Sequence, residues 1–267
     1  MSSAMTSESI YAELGLPDSP VLVDVRSEDD YAAAGRVICG SLRGSPDHVA
    51  HWARSLPRSR SVCVYCSHGG DRSQAVAKTL SAMGLAASFL EGGFEQWRQA
   101  GRVTCRVRPE LNSPGGSRWV TRERPKIDRV ACPWLVRRFI DPGALFFYSP
   151  PHRVRAEAEA LGGQPYDIAD VTFSHRGKRC SFDAFLDEFD VHDPVIDQVA
   201  AIVRSADTGQ LADAPQAPGL LAISLGLSAL LRDDVLLLEQ AMSLYDALYA
   251  WCKKAHDEAH SWPQKAN

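Results

Sequence analysis

The chain has 267 residues, of which 45% are hydrophobic and 23% charged, and its formal net charge is −4. These proportions are those of ordinary globular proteins and exclude a disordered or fibrous chain. The length suits two domains, each able to bury its own core. The net charge gives no overall attraction to nucleic acid or to an acidic membrane, so any such contact must come from a local patch.

Nothing in the sequence predicts export or membrane insertion. The first twenty residues lack a basic region followed by an apolar stretch, so they do not resemble a secretory signal. The longest apolar run, PGLLAISLGLSALL, is shorter than the roughly 18 residues that a membrane-spanning helix needs. Seven scattered cysteines indicate reduced thiols rather than a disulfide framework. We therefore expect a cytoplasmic protein without membrane contact.

The first hundred residues alternate between short apolar runs and helical patterns. The apolar runs predict strands at residues 21–25, 61–65 and 86–90. The patterns between and after them predict helices at residues 28–35, 48–55, 73–83 and 94–100. Strand, loop and helix in repeated order predict an α/β domain with a largely parallel sheet flanked by helices.

A linker is predicted where the segment PELNSPGGS interrupts every periodicity. It divides the chain into a first domain of residues 1–108, a linker of residues 109–117 and a mainly α-helical domain of residues 118–267. The helices predicted in the second domain are residues 127–139, 153–161, 182–189 with Ser181 as the N-cap, 194–206 and 233–255. Only residues 145–148 and 171–174 are strand-like there.

The strongest chemical signal is the segment VYCSHGGDRSQAVAKTL, in which an apolar strand leads to Cys66, a glycine-rich turn and a helix. Backbone N–H groups of such a turn converge on one point, and the positive end of the following helix favours an oxyanion or a thiolate there. Arg72 can bind an oxyanion through two hydrogen bonds and lower the pKa of Cys66, and the thiolate is the form that attacks. The residues predicted to form the anion-binding loop are Ser67, His68, Gly69, Gly70, Asp71 and Ser73.

Another interpretation of Cys66 is a small buried hydrophobic residue at a strand end, which is the usual role of a free cysteine.

Three segments, VLVDVRSEDDYAAAG, VCVYCSHGGDRS and FLEGGFEQWRQAG, resemble the landmark segments of rhodanese-like domains over residues 8–105. The resemblance implies that Cys66 forms a persulfide or attacks an oxyanion and that Arg72 is the loop arginine. It also implies that Asp24 and Arg26 are a strand-end pair supporting the site. The five residues between Cys66 and Arg72 are one more than is usual in sulfur-transferring rhodaneses and resemble rhodanese-fold phosphatases and arsenate reductases. The larger loop suits chromate, arsenate or phosphate better than a terminal sulfur atom.

Several segments of the second half resemble the C-terminal domain of the ChrB-type chromate-resistance family over residues 118–253. They are WVTRERPKIDRVACPWLVRRFIDPGALFFYSP, DIADVTFSHRGKRCSFDAFLDEF, IVRSADTG and LEQAMSLYDALYAW. Members of that family accompany chromate efflux systems and are described as regulators or accessory resistance factors. The resemblance implies a role in chromate resistance without assigning a chemistry.

Residues 118–138 form a basic segment, with seven arginine and lysine residues against one glutamate and one aspartate. Several arginines together suit a doubly charged oxyanion, and the same groups spread along a surface suit the phosphates of nucleic acid. The candidate contacts are Arg122, Arg124, Lys126 and Arg129. The other interpretation is a solvated face with internal ion pairs.

A weaker pattern of metal donors lies in the second domain. The donors are His175, Cys180, Asp207, Glu239 and Asp246, and the candidate ligands among them are His175, Asp207 and Glu239. The absence of a closely spaced ligand pair argues against structural zinc and leaves a mixed histidine and carboxylate site for iron or manganese. Ordinary surface carboxylates beside a loop histidine are the alternative.

Three functions remain open at this point. The first is a chromate-resistance protein in which the Cys66 loop acts on a small oxyanion or a sulfur donor, while the helical domain senses an anion or a metal. Its enzymatic class would be a sulfurtransferase or a rhodanese-fold reductase or phosphatase. The second is a chromate-responsive transcriptional regulator that binds nucleic acid through residues 118–138. The third is an inactive scaffold or interaction module.

Overall fold

The computed structural model describes residues 3–111 and 115–258. The strands of the first half are β1 (Ser3–Met5), β2 (Val21–Asp24), β3 (Arg36–Ile38), β4 (Leu42–Arg43), β5 (Val62–Tyr65), β6 (Ala87–Leu90) and β7 (Thr104–Arg106). The helices there are α1 (Ser7–Glu13), α2 (Glu28–Ala34), α3 (Val49–Trp52), α4 (Asp71–Ala82) and α5 (Gly93–Gln99). Short 3₁₀ turns flank α3 at Pro46–His48 and Ala53–Ser55.

The first half is an α/β domain built on a five-stranded sheet with the order β1-β6-β5-β2-β4. All its neighbouring strands are parallel, and β3 and β7 form a separate antiparallel pair. Every residue of β2 and β5 is buried, as expected of strands covered on both faces. Ser27 caps α2 by accepting a hydrogen bond from Asp30 N, and Gly35 ends the helix in a left-handed conformation. The predicted α/β fold and its parallel sheet are confirmed.

The second half is mainly helical, as predicted, and surrounds a small parallel sheet. Its strands are β8 (Arg118–Arg122), β9 (Leu145–Ser149) and β10 (Gln164–Pro165), in the order β10-β8-β9. Its helices are α6 (Asp128–Leu135), α7 (Val154–Leu161), α8 (Ser181–Phe189), α9 (Pro194–Asp207), α10 (Ala217–Leu230) and α11 (Asp234–Ala250). Single π-helical turns follow α6 at Val136–Ile140 and α11 at Trp251–Ala255.

The structure corrects three local predictions in this half. Residues 118–122, taken as the start of a helical region, form the central strand β8. The strand expected at residues 171–174 is wrong, because only Phe173 makes an isolated bridge, to Tyr166. The N-cap of α8 is Cys180 rather than Ser181, since the Cys180 N–H donates to the carboxylate of Asp183 in a capping box.

The two halves share part of their hydrophobic core. One hydrophobic cluster joins Tyr65, Phe94 and Trp97 of the first half to Trp119 and Trp134 of the second. A second cluster lies within the first half and contains residues of β2, β5 and α4. Backbone contacts add to the shared core, because the N–H of Gly40 donates to the carbonyl of Phe139 at 2.7 Å.

The predicted linker boundaries stay a prediction, and residues 112–114 of that linker lie outside the described residues. No helix in the described part of the chain is both long and apolar enough to cross a membrane.

Candidate functional site

Cys66 directly follows β5 and begins the loop that leads into α4. The residue is 8% exposed, and its Sγ lies 3.2 Å from the hydroxyl of Ser73. That hydroxyl also lies 3.1 Å from the carbonyl of Gly70. A hydroxyl has one proton, so Ser73 donates it to the sulfur when Cys66 is a thiolate and can give it to Gly70 when Cys66 is a thiol.

The surroundings of the sulfur favour the thiolate. Burial by itself would raise the pKa of Cys66, but hydrogen bonds from the hydroxyl and the N–H of Ser73 oppose this effect. The N–H groups of His68 and Gly70 add to them, and together they hold the pKa of Cys66 below its usual value. The loop therefore provides what a nucleophilic cysteine needs.

The beginning of α5 fixes the shape of the loop. Phe94 N–H donates to the Cys66 carbonyl at 2.9 Å, and Glu95 N–H donates to the Ser67 carbonyl at 3.0 Å. Gly93 has φ +59°, and a Cβ there would lie 2.3 Å from the Cys66 carbonyl oxygen. The backbone of the loop thus packs against a helix start that only glycine permits. This role of Gly93 was not predicted from the sequence.

Asp24 and Arg26 form a buried pair, as their predicted supporting role requires. The Arg26 guanidinium donates to both carboxylate oxygens of Asp24 at 2.6–3.0 Å, and both side chains are 1% exposed. Its plane lies over the ring of Phe94, 4.0 Å from the ring centre. In the described residues no hydrogen bond joins the pair to Cys66, and Phe94, whose N–H binds the Cys66 carbonyl, is one residue that connects the pair to the loop.

A cleft of about 510 Å³ lies beside the loop, and Arg26, Ser67, His68 and Phe94 are among its lining residues. Arg72 and Asp71 begin α4 with exposed side chains, and His68 is exposed as well. Ser67 donates a hydrogen bond to Asp30 Oδ2 at 2.7 Å.

The basic segment is largely paired inside the protein. Arg122 and Arg129 both contact the carboxylate of Asp167, at 2.6 and 3.2 Å. Arg124 donates to the carbonyls of Ser228 and Leu231 at the end of α10. Lys126, the remaining candidate, has no ion pair within the described ranges. Most of these positive charges are therefore neutralised by carboxylates or bound to backbone carbonyls of the protein itself.

Two of the three candidate metal ligands come together. His175 Nε2 lies 3.2 Å from both Asp128 Oδ2 and Asp207 Oδ2. The same nitrogen lies 3.4 Å from Asp167 Oδ1. The contact with Asp128 raises the pKa of His175 to about 9 against the effect of burial. Burial, followed by the charge of Asp128, raises the pKa of Asp207 to about 8.

The other predicted donors serve different contacts. The inclusion of Glu239 is wrong, because its carboxylate binds Arg137 at 2.6 Å instead of joining His175. Asp246 accepts hydrogen bonds from Trp134 and Arg138. Cys180 is fully buried and caps α8. Asp128 was not predicted as a metal ligand. In the sequence it stands out only as the one aspartate of the basic segment.

Comparison with known proteins separates these two groups of residues. The family model described as "ChrB, C-terminal domain" matches residues 119–252, and that described as "Rhodanese-like domain" matches residues 7–100. This chain is a member of the ChrB C-terminal domain family, with a rhodanese-like domain before it. Both resemblances seen in the sequence are confirmed.

Individual relatives each match part of this chain. Protein ChrB of Cupriavidus metallidurans is 36% identical over 135 residues, which are 50% of this chain and 40% of that protein. The chain thus spans well under half of that ChrB relative. Thiosulfate sulfurtransferase GlpE of Tolumonas auensis is 32% identical over 97 residues, which are 36% of this chain and 88% of that protein. A rhodanese-related protein from Thermoplasma volcanium is a solved structure with 24% identity and a TM-score of 0.34, covering 38% of this chain and 96% of its own.

The Cys66 loop lies in the rhodanese-like domain, whereas Asp128, His175 and Asp207 lie in the ChrB domain. The two groups share no residue.

Proposed function

We propose that this chain takes part in chromate resistance in the cytoplasm and that its rhodanese-like domain carries out thiol chemistry at Cys66. Its membership of the ChrB C-terminal domain family supports the first part. The observation that carries the second is the position of the Cys66 sulfur, which faces the Ser73 hydroxyl and three backbone N–H groups. A reducing compartment keeps such a thiol available.

The reaction proposed for Cys66 is attack on the outer sulfur of a thiosulfate-class donor. The Cys66 thiolate forms a new S–S bond with that sulfur, the S–S bond of the donor breaks, and sulfite leaves with the electron pair. The N–H groups of His68, Gly70 and Ser73 that favour the thiolate then favour the negative charge of the persulfide. The likeness to a protein named thiosulfate sulfurtransferase supports this choice.

A second candidate is the binding of a tetrahedral oxyanion such as chromate, arsenate or phosphate. It is supported by the five residues between Cys66 and Arg72, which make a larger loop than sulfur transfer requires. A Cβ added at Gly70 would meet no heavy atom within 4 Å, so the loop is open at this point. The exposed Arg72 can approach an anion from there.

Mass spectrometry of the full chain after incubation with thiosulfate tests the first candidate. We expect the Cys66 peptide to gain the mass of one sulfur atom, Cys66→Ser to abolish the gain, and the control Cys63→Ala to retain it. Cys63 is a suitable control because it lies in β5, the strand that precedes Cys66, and its side chain is fully buried.

Alkylation of Cys66 in the presence of chromate, arsenate or phosphate separates the two candidates. Protection that is lost in Arg72→Ala, without persulfide formation, would replace sulfur transfer by oxyanion binding. An unreactive Cys66 with neither persulfide nor protection would contradict both candidates and leave the scaffold interpretation.

A further inference from the structure

Four polar side chains from three segments of the ChrB domain meet at one place. Asp128 is the first residue of α6, and Asp207 is the last residue of α9. His175 and Asp167 come from the irregular chain between β10 and α8. Asp128 and Asp167 are 2% and 4% exposed, so their charges are held away from water. Burying carboxylates in this way is costly unless a cation or hydrogen bonds compensate them.

A proton on His175 compensates them poorly. Nε2 donates a single hydrogen bond, whereas carboxylate oxygens of Asp128, Asp207 and Asp167 all lie within 3.4 Å of it. Carboxylate oxygens of Asp128 and Asp207 lie within 4.8 Å of each other, which is unfavourable when both groups are ionised. Asp128 Oδ2 also accepts a hydrogen bond from the Ser181 N–H at 3.3 Å, so both hydrogen bonds to this carboxylate from the described residues go to the same oxygen.

Asp167 differs from the other two carboxylates because it already has partners. Its Oδ2 binds Arg122 and Arg129, and its Oδ1 accepts a hydrogen bond from Ser181 at 2.8 Å. These contacts suit a residue that orients the histidine. The remaining three side chains each offer one ligand atom, and these atoms lie within 4.8 Å of one another. Atoms that coordinate one ion at about 2.1 Å have to lie within roughly that range of one another.

We propose that Asp128, His175 and Asp207 bind a divalent transition-metal ion of the manganese, iron or zinc class, with water completing the coordination. One imidazole and two carboxylates are the donors that these ions accept, whereas thiolates are the preferred ligands of copper(I) and all-oxygen sets those of magnesium and calcium. A metal ion accepts several ligands at once and so satisfies the oxygens that one proton cannot. The side chain of His175 is 40% exposed, which gives the ion a path from solvent.

The test is a titration of the full chain, first stripped of metal with a chelator, with Mn²⁺ and separately with Zn²⁺. Calorimetry gives the affinity for either ion, and electron paramagnetic resonance counts bound Mn²⁺. We expect one ion per chain, and we expect His175→Ala and Asp207→Asn each to weaken binding by about tenfold or more. Matched controls are His192→Ala and Glu239→Gln, which alter a 76% exposed histidine and a 54% exposed carboxylate outside the group.

Thermal unfolding guards against loss of binding through misfolding. Asp207→Asn keeps the size of the side chain and its ability to form hydrogen bonds, so the melting temperature of the metal-free variant should be close to that of the wild type. Added metal should then raise the melting temperature of the wild type and of both controls but not that of Asp207→Asn. The proposal would be overturned if the wild type bound no ion, or if His175→Ala and Asp207→Asn bound it with the affinity of the wild type. The site shares no residue with the Cys66 loop, so a failure to bind metal would not contradict the proposed thiol chemistry, and a failure of that chemistry would not contradict the metal site.

Discussion

At the scale of single residues, the hydroxyl of Ser73 is the side-chain donor that faces the Cys66 sulfur, and it favours the thiolate. Ser73→Ala removes this donor and leaves the backbone N–H groups in place. We expect the pKa of Cys66 to rise, so that its alkylation rate falls at neutral pH and the pH profile moves to higher pH. The control is Ser81→Ala, whose hydroxyl donates to Ala77 within the same helix. An unchanged profile for Ser73→Ala would contradict the role given to this hydroxyl.

Gly93 allows a second test of the loop because Gly101 is a matched control. Both have positive φ, +59° and +65°, but a Cβ at Gly101 would meet nothing within 4 Å. Each alanine substitution therefore costs about 1–2 kcal/mol of backbone strain. Only Gly93→Ala should also displace the loop and slow alkylation of Cys66. Equal alkylation rates in Gly93→Ala and Gly101→Ala would show that the close approach is unimportant.

The candidate metal group shows what local sequence patterns miss. His175 and Asp207 were singled out because they lie in turn-like segments, but Asp128 lies among arginines and the pattern gave it no special role. Its neighbours are set by the packing of α6 against α8 and α9, which is long-range information. Glu239 of α11 also offers a carboxylate, as Asp207 does, but its partner is Arg137 and not His175.

At the scale of elements, β2, β5 and β6 were predicted because they are short, mostly apolar and bounded by turns, whereas β1, β3, β4 and β7 were not predicted. Helix α10 was not predicted, because its apolar residues continue around the helix and leave no polar face. Ile223, Leu225 and Leu230 are accordingly 51%, 46% and 80% exposed. Strand β8 was missed because Arg118 and Arg122 at its ends led residues 118–122 to be considered only as part of a basic segment, although the three central residues are buried.

The contacts of Arg124 give a prediction about the end of α10. Arg124 binds two carbonyls there, and its own N–H donates to Asp234 at 2.9 Å. We expect Arg124→Ala to lower stability by about 1–3 kcal/mol, measured by urea unfolding, because buried carbonyls lose their donor. The control Arg153→Ala alters a side chain that is 63% exposed, so it should change the free energy of unfolding little.

The same variant tests the nucleic-acid alternative. A regulator that uses Arg124 on DNA would show salt-dependent binding that Arg124→Ala weakens while stability stays the same. We expect the opposite pattern, in which stability falls and no such binding is seen.

At the scale of the whole molecule, Lys253 joins the two halves. Its Nζ donates to the carbonyls of Tyr11 and Leu14 at 2.7 and 2.9 Å. We expect Lys253→Met to lower the melting temperature while both halves still unfold in one transition, because their core is shared. Calorimetry measures this, and the neighbouring Lys254→Met is the control, since Lys254 is 50% exposed and makes one long contact with Glu13. Two separate transitions in the wild type would contradict a shared core.

Along β5 and Cys66, which follows it, alternate side chains belong to two hydrophobic clusters. Cys63 and Tyr65 belong to the cluster shared with the ChrB domain, whereas Val62, Val64 and Cys66 belong to the other. A substitution in the second half that changes this packing acts on the strand that positions the thiol. The rhodanese-like domain is therefore difficult to replace by a homologous one. A domain taken from another protein would bring the cysteine loop, but not the side chains that pack against this ChrB domain. During evolution, such a fusion has to adapt as one inherited unit rather than as two interchangeable parts.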